Sequence, residues 1–325
     1  MTLLIKSAKW AFVLVLGVVA VSIGYYIYLV SSFDAETLSE NHGKVNVQLY
    51  LGDGDNQPLI VGFGGAEGGN TWARHYWKPL RDEWLSQGYA ILAVGYFGME
   101  GTPKDVDRIA LDGVHRAVLE AAGHPRINGK CIALVGGSKG AELALALASR
   151  YPEYKAVVGI VPGHAVFAAH TLAMSTSSFS VNGQPLPFVP VPWSATPALI
   201  KRDLRGAWEK MLEDEEAVEK AAIHVENING PVFLLSATRD EFWPSAEMSA
   251  LMMQRLEAND FAYHFEHIAI DDNHREALVE HVDKVEDFLN SCHFMPGSSS
   301  GCPRSQVHRE RVFAIEADEQ LIGRS

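Results

Sequence analysis

The chain has 325 residues, 27 basic against 40 acidic, and a net charge of −13. That charge argues against nucleic acid as a partner. The 47% hydrophobic content is that of a globular protein, and the length allows one large α/β domain with additions; no internal repeat is present.

The first thirty residues form an apolar segment. Residues 1–9 carry Lys6 and Lys9, and residues 10–30 carry no charge. Each Leu, Ile, Val or Phe in such a stretch favours the mid-bilayer by about 0.3–0.6 kcal/mol, and ~20 apolar residues span the hydrocarbon. Trp10 at one end and Tyr25, Tyr26 and Tyr28 at the other suit the interfacial aromatic belts. The reading taken is an uncleaved transmembrane anchor over residues 10–30. The alternative is a signal peptide cut near Val30-Ser31-Ser32, although the apolar core of a signal is ordinarily ~7–15 residues. No Lys or Arg follows the span until Lys44. The basic stub is therefore expected in the cytosol, and the rest of the chain on the extracytoplasmic side.

From residue 31 to 290, strand and helix patterns alternate, as in a mostly parallel sheet flanked by helices. Val45 to Leu51 predicts an early strand and GDGDN (52–56) a turn. Pro58 to Phe63 predicts a strand running into GGAEGGN (64–70). Glycines there let backbone N–H groups approach a substrate oxygen, and the loop matches no phosphate-binding glycine motif. Trp77 to Gln87 predicts a helix with Pro79 in its first turn, and Tyr89 to Val94 the next strand. Ala110, Val114, Ala117, Val118 and Ala121 form a core stripe on a helix predicted over 106–122, which leaves His115 on the surface.

Cys131 to Val135 is an apolar run, read as a buried strand with Cys131 as a packing residue. The Ala/Leu-rich stretch from Lys139 predicts a helix. Between them Gly136-Gly137-Ser138-Lys139-Gly140 fits G-x-S-x-G. A serine on such a strand-to-helix turn exposes its hydroxyl above the sheet. The helix start aims backbone N–H groups at the site, so the Lys139 N–H is a candidate oxyanion donor. A second donor is expected at Ala66 or Glu67 in the glycine-rich loop.

Ala156 to Val161 predicts a strand, followed by Pro162-Gly163-His164. Residues 163–222, weakly periodic and proline-rich, read in part as a substrate-covering insertion, with His164 in the substrate pocket. Pro231 to Ser236 predicts a strand leading into Ala237-Thr238-Arg239-Asp240-Glu241. Phe261 to Ile270 is expected to be the last strand, ending in a loop Asp271-Asp272-Asn273-His274, and Arg275 to Leu289 the closing helix. Residues 291–325 read as a flexible tail. Cys292 and Cys302 bracket its turn-rich start, and they either pair in an oxidising compartment or stay as thiols.

Ser138, Asp240 and His274 each follow a predicted strand end, in the order nucleophile, acid, base. That resembles the triad of the α/β-hydrolase fold, which is the fold expected. His274 would take the serine proton and return it to the leaving group, and Asp240 would hold the imidazole tautomer. Glu241 is the rival acid. His264 and His267 lie within the expected last strand and point to opposite faces, and His281 is expected to be solvated. No set of histidines and carboxylates has metal-ligand spacing, so neither a metal nor another cofactor is expected.

Several stretches resemble the catalytic domain of the acyl-CoA thioesterase/bile acid-CoA:amino acid N-acyltransferase family. They are GGAEGG (64–69), GGSKGAELAL (136–145), VPGH (161–164), RDEFWPSAEM (239–248) and Asn273-His274, spread over about residues 58 to 290. The resemblance maps the family's nucleophile, acid and base onto Ser138, Asp240 and His274. It also places Trp243 in the substrate pocket beside His164, and it implies a small acyl thioester or ester as substrate. The chain departs from the family in three ways. Only about twenty residues between the apolar segment and the first clear strand are available for the N-terminal β-sandwich domain of mammalian members, Asn273 stands where the family usually has Gly, and the apolar N-terminal segment is outside the resemblance. The conjugating branch uses a cysteine nucleophile, so Ser138 implies hydrolysis. Acyl-CoA as substrate conflicts with the extracytoplasmic placement, because CoA thioesters are mainly cytosolic. An oxyester carboxylesterase or lipase, or a non-catalytic ligand-binding hydrolase fold, are the other readings.

Overall fold

The computed structural model describes residues 2–292, 294, 302 and 313–316. It opens on α1 (Thr2–Ser31), whose stretch Phe12–Ser31 is apolar and buries nothing against the rest of the chain. By length and composition this helix can cross a membrane, and a signal sequence would look the same.

Then follow β1 (Asn46–Leu51), β2 (Gln57–Phe63), α2 (Lys78–Ser86), β3 (Ala90–Gly95), the two-residue β4 (Ile109–Ala110), α3 (Leu111–Ala122), β5 (Ile127–Gly137), α4 (Lys139–Ala148) and β6 (Tyr154–Ile160). Residues 163–222 carry a short hairpin, β7 (Phe179–Val181) and β8 (Gln184–Pro185), and three helices, α5 (Thr196–Lys201), α6 (Leu204–Leu212) and α7 (Glu215–Ala221). The chain returns to the sheet with β9 (Val232–Ala237), α8 (Ser245–Ala258), β10 (Phe265–Ile270), α9 (His274–Val279), α10 (Val282–Ser291) and β11 (Phe313–Glu316).

The eight-stranded sheet has the order β1-β3-β2-β5-β6-β9-β10-β11. β1 runs antiparallel to β3, and the other neighbours are parallel. Alternate residues divide between two cores, as strand geometry requires. Leu59, Val61, Leu92 and Leu134 pack on one face, and Ile60, Ile91, Ala133 and Val135 on the other. Both faces are covered, so the central strands read as continuous apolar runs. A third cluster joins Phe167, Val189 and Met211 of the 163–222 segment to Trp243 and Met248.

The structure corrects five expectations. The helix predicted from residue 106 starts at Leu111, because Arg108 stands at φ 48°, outside the right-handed helical region, and Arg108 and Ile109 pair through their N–H groups with the Ser177 and Ser178 carbonyls. β10 is not the last strand, since β11 adds a parallel neighbour. The closing helix is two helices, α9 and α10. The tail is tied down at three points: Phe294 is fully buried and accepts a bond from Tyr89 Oη at 2.7 Å, Cys302 is disulfide-bonded, and residues 313–316 pair with β10. The rest of the tail lies outside the described residues. Finally, Cys302 pairs with Cys131, not Cys292. Cys292 is a buried free thiol whose pKa burial pushes up to about 11.

Three histidines, His115, His281 and His264, also differ from their expected settings, while His267 lies within β10 as expected. His115 is half-buried, stacked on Tyr151 and 2.8 Å from Tyr154 Oη, with its pKa lowered by burial. His281 is held by Asp272 at 2.9 Å. His267 is buried against Ser236 Oγ at 2.7 Å and is pushed down to about 4, while His264 stands just ahead of β10.

Candidate active site

Ser138, Asp240 and His274 all stand at the C-terminal edge of the sheet, after β5, β9 and β10. Ligands of open parallel sheets bind at that edge. Ser138 has φ 54° and ψ −121°, a conformation costing of order 1–3 kcal/mol for a residue with a side chain. Its N–H donates to Ile160 O at 2.8 Å, which pins the turn to β6. The flanking glycines are a steric necessity. A Cβ on Gly136 would stand 2.1 Å from Gly140 O, and one on Gly140 2.3 Å from Gly64 O. Both obstacles are backbone and cannot rotate away.

Gly64 and Gly65 lie against this turn. A Cβ on Gly65 would meet Ser138 Cβ at 3.2 Å. Tyr96, fully buried after β3, donates from its hydroxyl to Gly64 O at 2.9 Å. Its phenol pKa is raised well above the usual value, foremost by burial, so it stays a donor. The Gly65 N–H is taken by Glu67 Oε1 at 3.2 Å. The backbone N–H groups of Ala66 and Glu67, the expected second donors, have no acceptor among the described residues.

Asp240 and His274 are joined directly. His274 Nδ1 is 2.9 Å from both carboxylate oxygens, and Asp240 is 1% exposed. The carboxylate also accepts the Phe242 and Trp243 N–H groups at 2.9 and 3.2 Å. Glu241 makes a different bond, accepting the His274 backbone N–H at 3.0 Å. One carboxylate holds the ring and its neighbour holds the backbone. His274 is the first residue of α9 rather than a loop residue. Asn273 caps that helix, with φ −89° and its Oδ1 accepting the Arg275 and Glu276 N–H groups at 3.1 Å. The capping bond, not left-handed geometry, explains asparagine there. One turn along α9, Leu278 fills the space that a Cβ on Gly137 would need. This seats α9 beside the serine turn. Ser138 Oγ itself makes no hydrogen bond among the described residues.

The other site expectations divide. Trp243 is 3% exposed, donates from Nε1 to Val161 O at 3.1 Å, and its ring centre is 6.1 Å from that of His274. His164 is buried, and neither ring nitrogen has a partner among the described residues. Burial pushes its pKa down to about 4, so the ring is neutral. Its ring centre is 6.3 Å from that of Phe167, which packs on Trp208 and Trp243. A cavity of about 710 Å³ between Pro185–Phe188 and Asp214–Lys220 is lined by none of the three triad candidates. Among the described residues no group of three or more His, Cys, Asp or Glu is placed to hold a metal ion.

Sequence reasoning missed Tyr96, Phe242, Arg205 and the aromatic pair Phe167 and Trp208. Phe242 has its ring 4.7 Å from that of His274, and Arg205 donates to Asp240 O at 3.0 Å. Tyr96 alone carried a signal, as a polar residue at the C-terminal end of a sheet strand.

These features define a class. A mostly parallel sheet with its first strand antiparallel, a strained serine between strand and helix, and an acid and a histidine after later strands make an α/β-hydrolase-like fold. A 2,6-dihydroxy-pseudo-oxynicotine hydrolase aligns with a TM-score of 0.50 at 17% identity, over 81% of this chain and 68% of that one. A Mycobacterium tuberculosis puromycin-hydrolyzing peptidase aligns at 0.53 and 14% identity, over 76% and 37%. At that identity they speak to the fold alone.

Residues 116–273 match the family model described as BAAT / Acyl-CoA thioester hydrolase C terminal, the family that the motifs resemble. Mouse acyl-coenzyme A thioesterase 6 is 27% identical over 218 residues, 67% of this chain and 48% of that protein. Mouse peroxisomal succinyl-coenzyme A thioesterase is 26% identical over 220 residues, with the same coverage. The chain therefore spans about half the length of these relatives.

Proposed function

We propose that this protein is a serine hydrolase that cleaves acyl thioesters of the acyl-CoA type through an acyl-enzyme. The observation that carries the reading is the buried His274–Asp240 pair beside the strained Ser138 turn. Ser138 Oγ attacks the acyl carbonyl as His274 Nε2 takes its proton. Asp240, accepting from Nδ1–H, keeps Nε2 free to act as base and stabilises the imidazolium. The oxyanion is held by the Lys139 N–H at the start of α4 and by the Ala66 or Glu67 N–H. The imidazolium then protonates the leaving thiolate, and water resolves the acyl-serine by the same route. Nucleophile–base contacts are often long without substrate, which accommodates the unbonded Ser138 Oγ. The neutral His164 and the Phe167, Trp208 and Trp243 rings are read as walls of the acyl pocket, under the 163–222 segment. Water is the acceptor, because an acyl-serine oxyester reacts with amines less readily than an acyl-cysteine thioester.

The full-length chain incubated with palmitoyl-CoA and glycine or taurine is expected to yield free fatty acid and CoA by mass spectrometry. An N-acyl amino acid among the products would overturn the hydrolase reading. Turnover of simple oxyesters with none of any CoA thioester would establish the second reading, an oxyester carboxylesterase. A folded chain inert toward both would leave a ligand-binding role.

The N-terminal helix is read as an uncleaved anchor with residues 1–9 in the cytosol. The Cys131–Cys302 disulfide supports an oxidising, extracytoplasmic setting for the domain. The protein is expected to stay with membranes through an alkaline carbonate wash, with Met1 or Thr2 as its N-terminus. A mature N-terminus near Phe33 would show a signal peptide instead.

A further inference from the structure

Lys139 follows the serine, yet its side chain turns away from the site into the interior. It is 0% exposed, as is Glu142, one turn further along α4. Lys139 Nζ lies 2.7 Å from Glu142 Oε2 and 3.1 Å from Ser178 Oγ, and 5.8 Å from the centre of the Phe179 ring. Glu142 Oε1 accepts the Phe167 N–H at 3.2 Å, and Ser178 Oγ donates to Ala168 O at 3.0 Å. The ion pair thus grips the 163–222 segment at two places, 167–168 and 178–179. Phe167 in turn carries the aromatic wall through Trp208 and Trp243 to His274.

Stability is a poor explanation for such a pair. Stripping water from two charges costs much of what their attraction returns, and apolar replacements are often neutral or better. Burial is the largest influence on the Glu142 carboxyl and raises its pKa despite the adjacent ammonium. What the pair supplies is direction: short, charge-assisted bonds between the first turn of α4 and a segment with weak periodicity of its own.

We propose that Lys139 and Glu142 are positioning residues, locking the backbone N–H of Lys139 in register with the 163–222 segment, so that the oxyanion donor and the wall of the acyl pocket move as one unit. The proposal rests on the serine-hydrolase reading of the site. A misaligned donor weakens the transition state more than the bound substrate, so the loss falls on kcat rather than KM.

The test is the double substitution Lys139→Met with Glu142→Gln in the full-length chain. It removes both charges together, and the glutamine still offers an oxygen to the Phe167 N–H. The expected result is a folded protein whose kcat on its best acyl substrate falls about 10- to 100-fold, short of the 10²–10³ seen when an oxyanion donor is removed outright. KM should stay within about threefold, since only interactions special to the transition state are lost. A long-chain alkyl trifluoromethyl ketone, whose carbonyl becomes an oxyanion on the serine, should lose affinity by the same factor as kcat. A merely structural pair would not link those two numbers. Wild-type kcat and ketone affinity in the folded double variant would overturn the proposal, as would a rise in KM alone. If the double variant does not fold, Ser178→Ala decides: it cuts one of the grips, and the same joint loss of kcat and ketone affinity, about three- to tenfold, is expected of a partial misalignment. No change in Ser178→Ala would then overturn the proposal. A wild-type chain with no turnover and no ketone binding would reject the hydrolase reading first and this inference with it.

Discussion

Ser138→Ala is expected to abolish labelling by a fluorophosphonate probe and to lower acyl-substrate turnover by roughly 10⁴- to 10⁶-fold. Without Oγ no acyl-enzyme forms, and the residual rate is what the oxyanion donors supply to a bound water. The fold should persist. Alanine meets the same φ of 54°, and Ser138 anchors its turn through the backbone bond to Ile160 O rather than through its hydroxyl. A thermal melt close to wild type with labelling lost fits the assignment. Labelling retained in Ser138→Ala would place the nucleophile elsewhere.

Asp240→Asn is expected to cost about 10⁴-fold in kcat, and the adjacent Glu241→Gln less than about tenfold, no more than a modest shift in a positioning bond would cost. The difference follows from what each carboxylate accepts. Asp240 accepts from the His274 ring, and an asparagine amide turned to Nδ1 would donate instead, forcing the proton onto Nε2. The base would then be occupied. Glu241 accepts only the His274 backbone N–H in this site, and a glutamine oxygen can take the same bond. Measuring kcat for both variants across pH checks this. If Glu241→Gln is the more damaging change, the acid is Glu241.

Much of this architecture was legible in the chain because it is local. The apolar runs of β2, β3, β5 and β9 declare strands buried on both faces, since side chains alternate between two cores and neither face tolerates polar groups. The G-x-S-x-G turn declares itself by its spacing, although only Gly136 is demanded by a near neighbour, Gly140 O, while Gly140 is demanded by Gly64 O on the adjacent strand's loop. The order serine, acid, histidine could be read once those strand ends were located. Residues 106–110 were less legible. Their helical pattern is real, but Arg108 takes a left-handed φ of 48° as Arg108 and Ile109 pair with the Ser177 and Ser178 carbonyls, which are distant in sequence.

The sequence by itself determined the apolar N-terminal segment, the parallel sheet and the serine turn between strand and helix, because each shows in composition, periodicity or the spacing of a short motif. Only the tertiary structure decided that Asp240 meets the ring while Glu241 holds the backbone, and that Asn273 caps α9. It alone showed that Cys302 crosses 171 residues to Cys131 and that the Lys139 side chain is a buried ion pair rather than part of the site's rim. Each of these is a meeting or an orientation set by three-dimensional packing. Asp240 and Glu241 both follow the end of β9, so only the packing shows which of them reaches the imidazole.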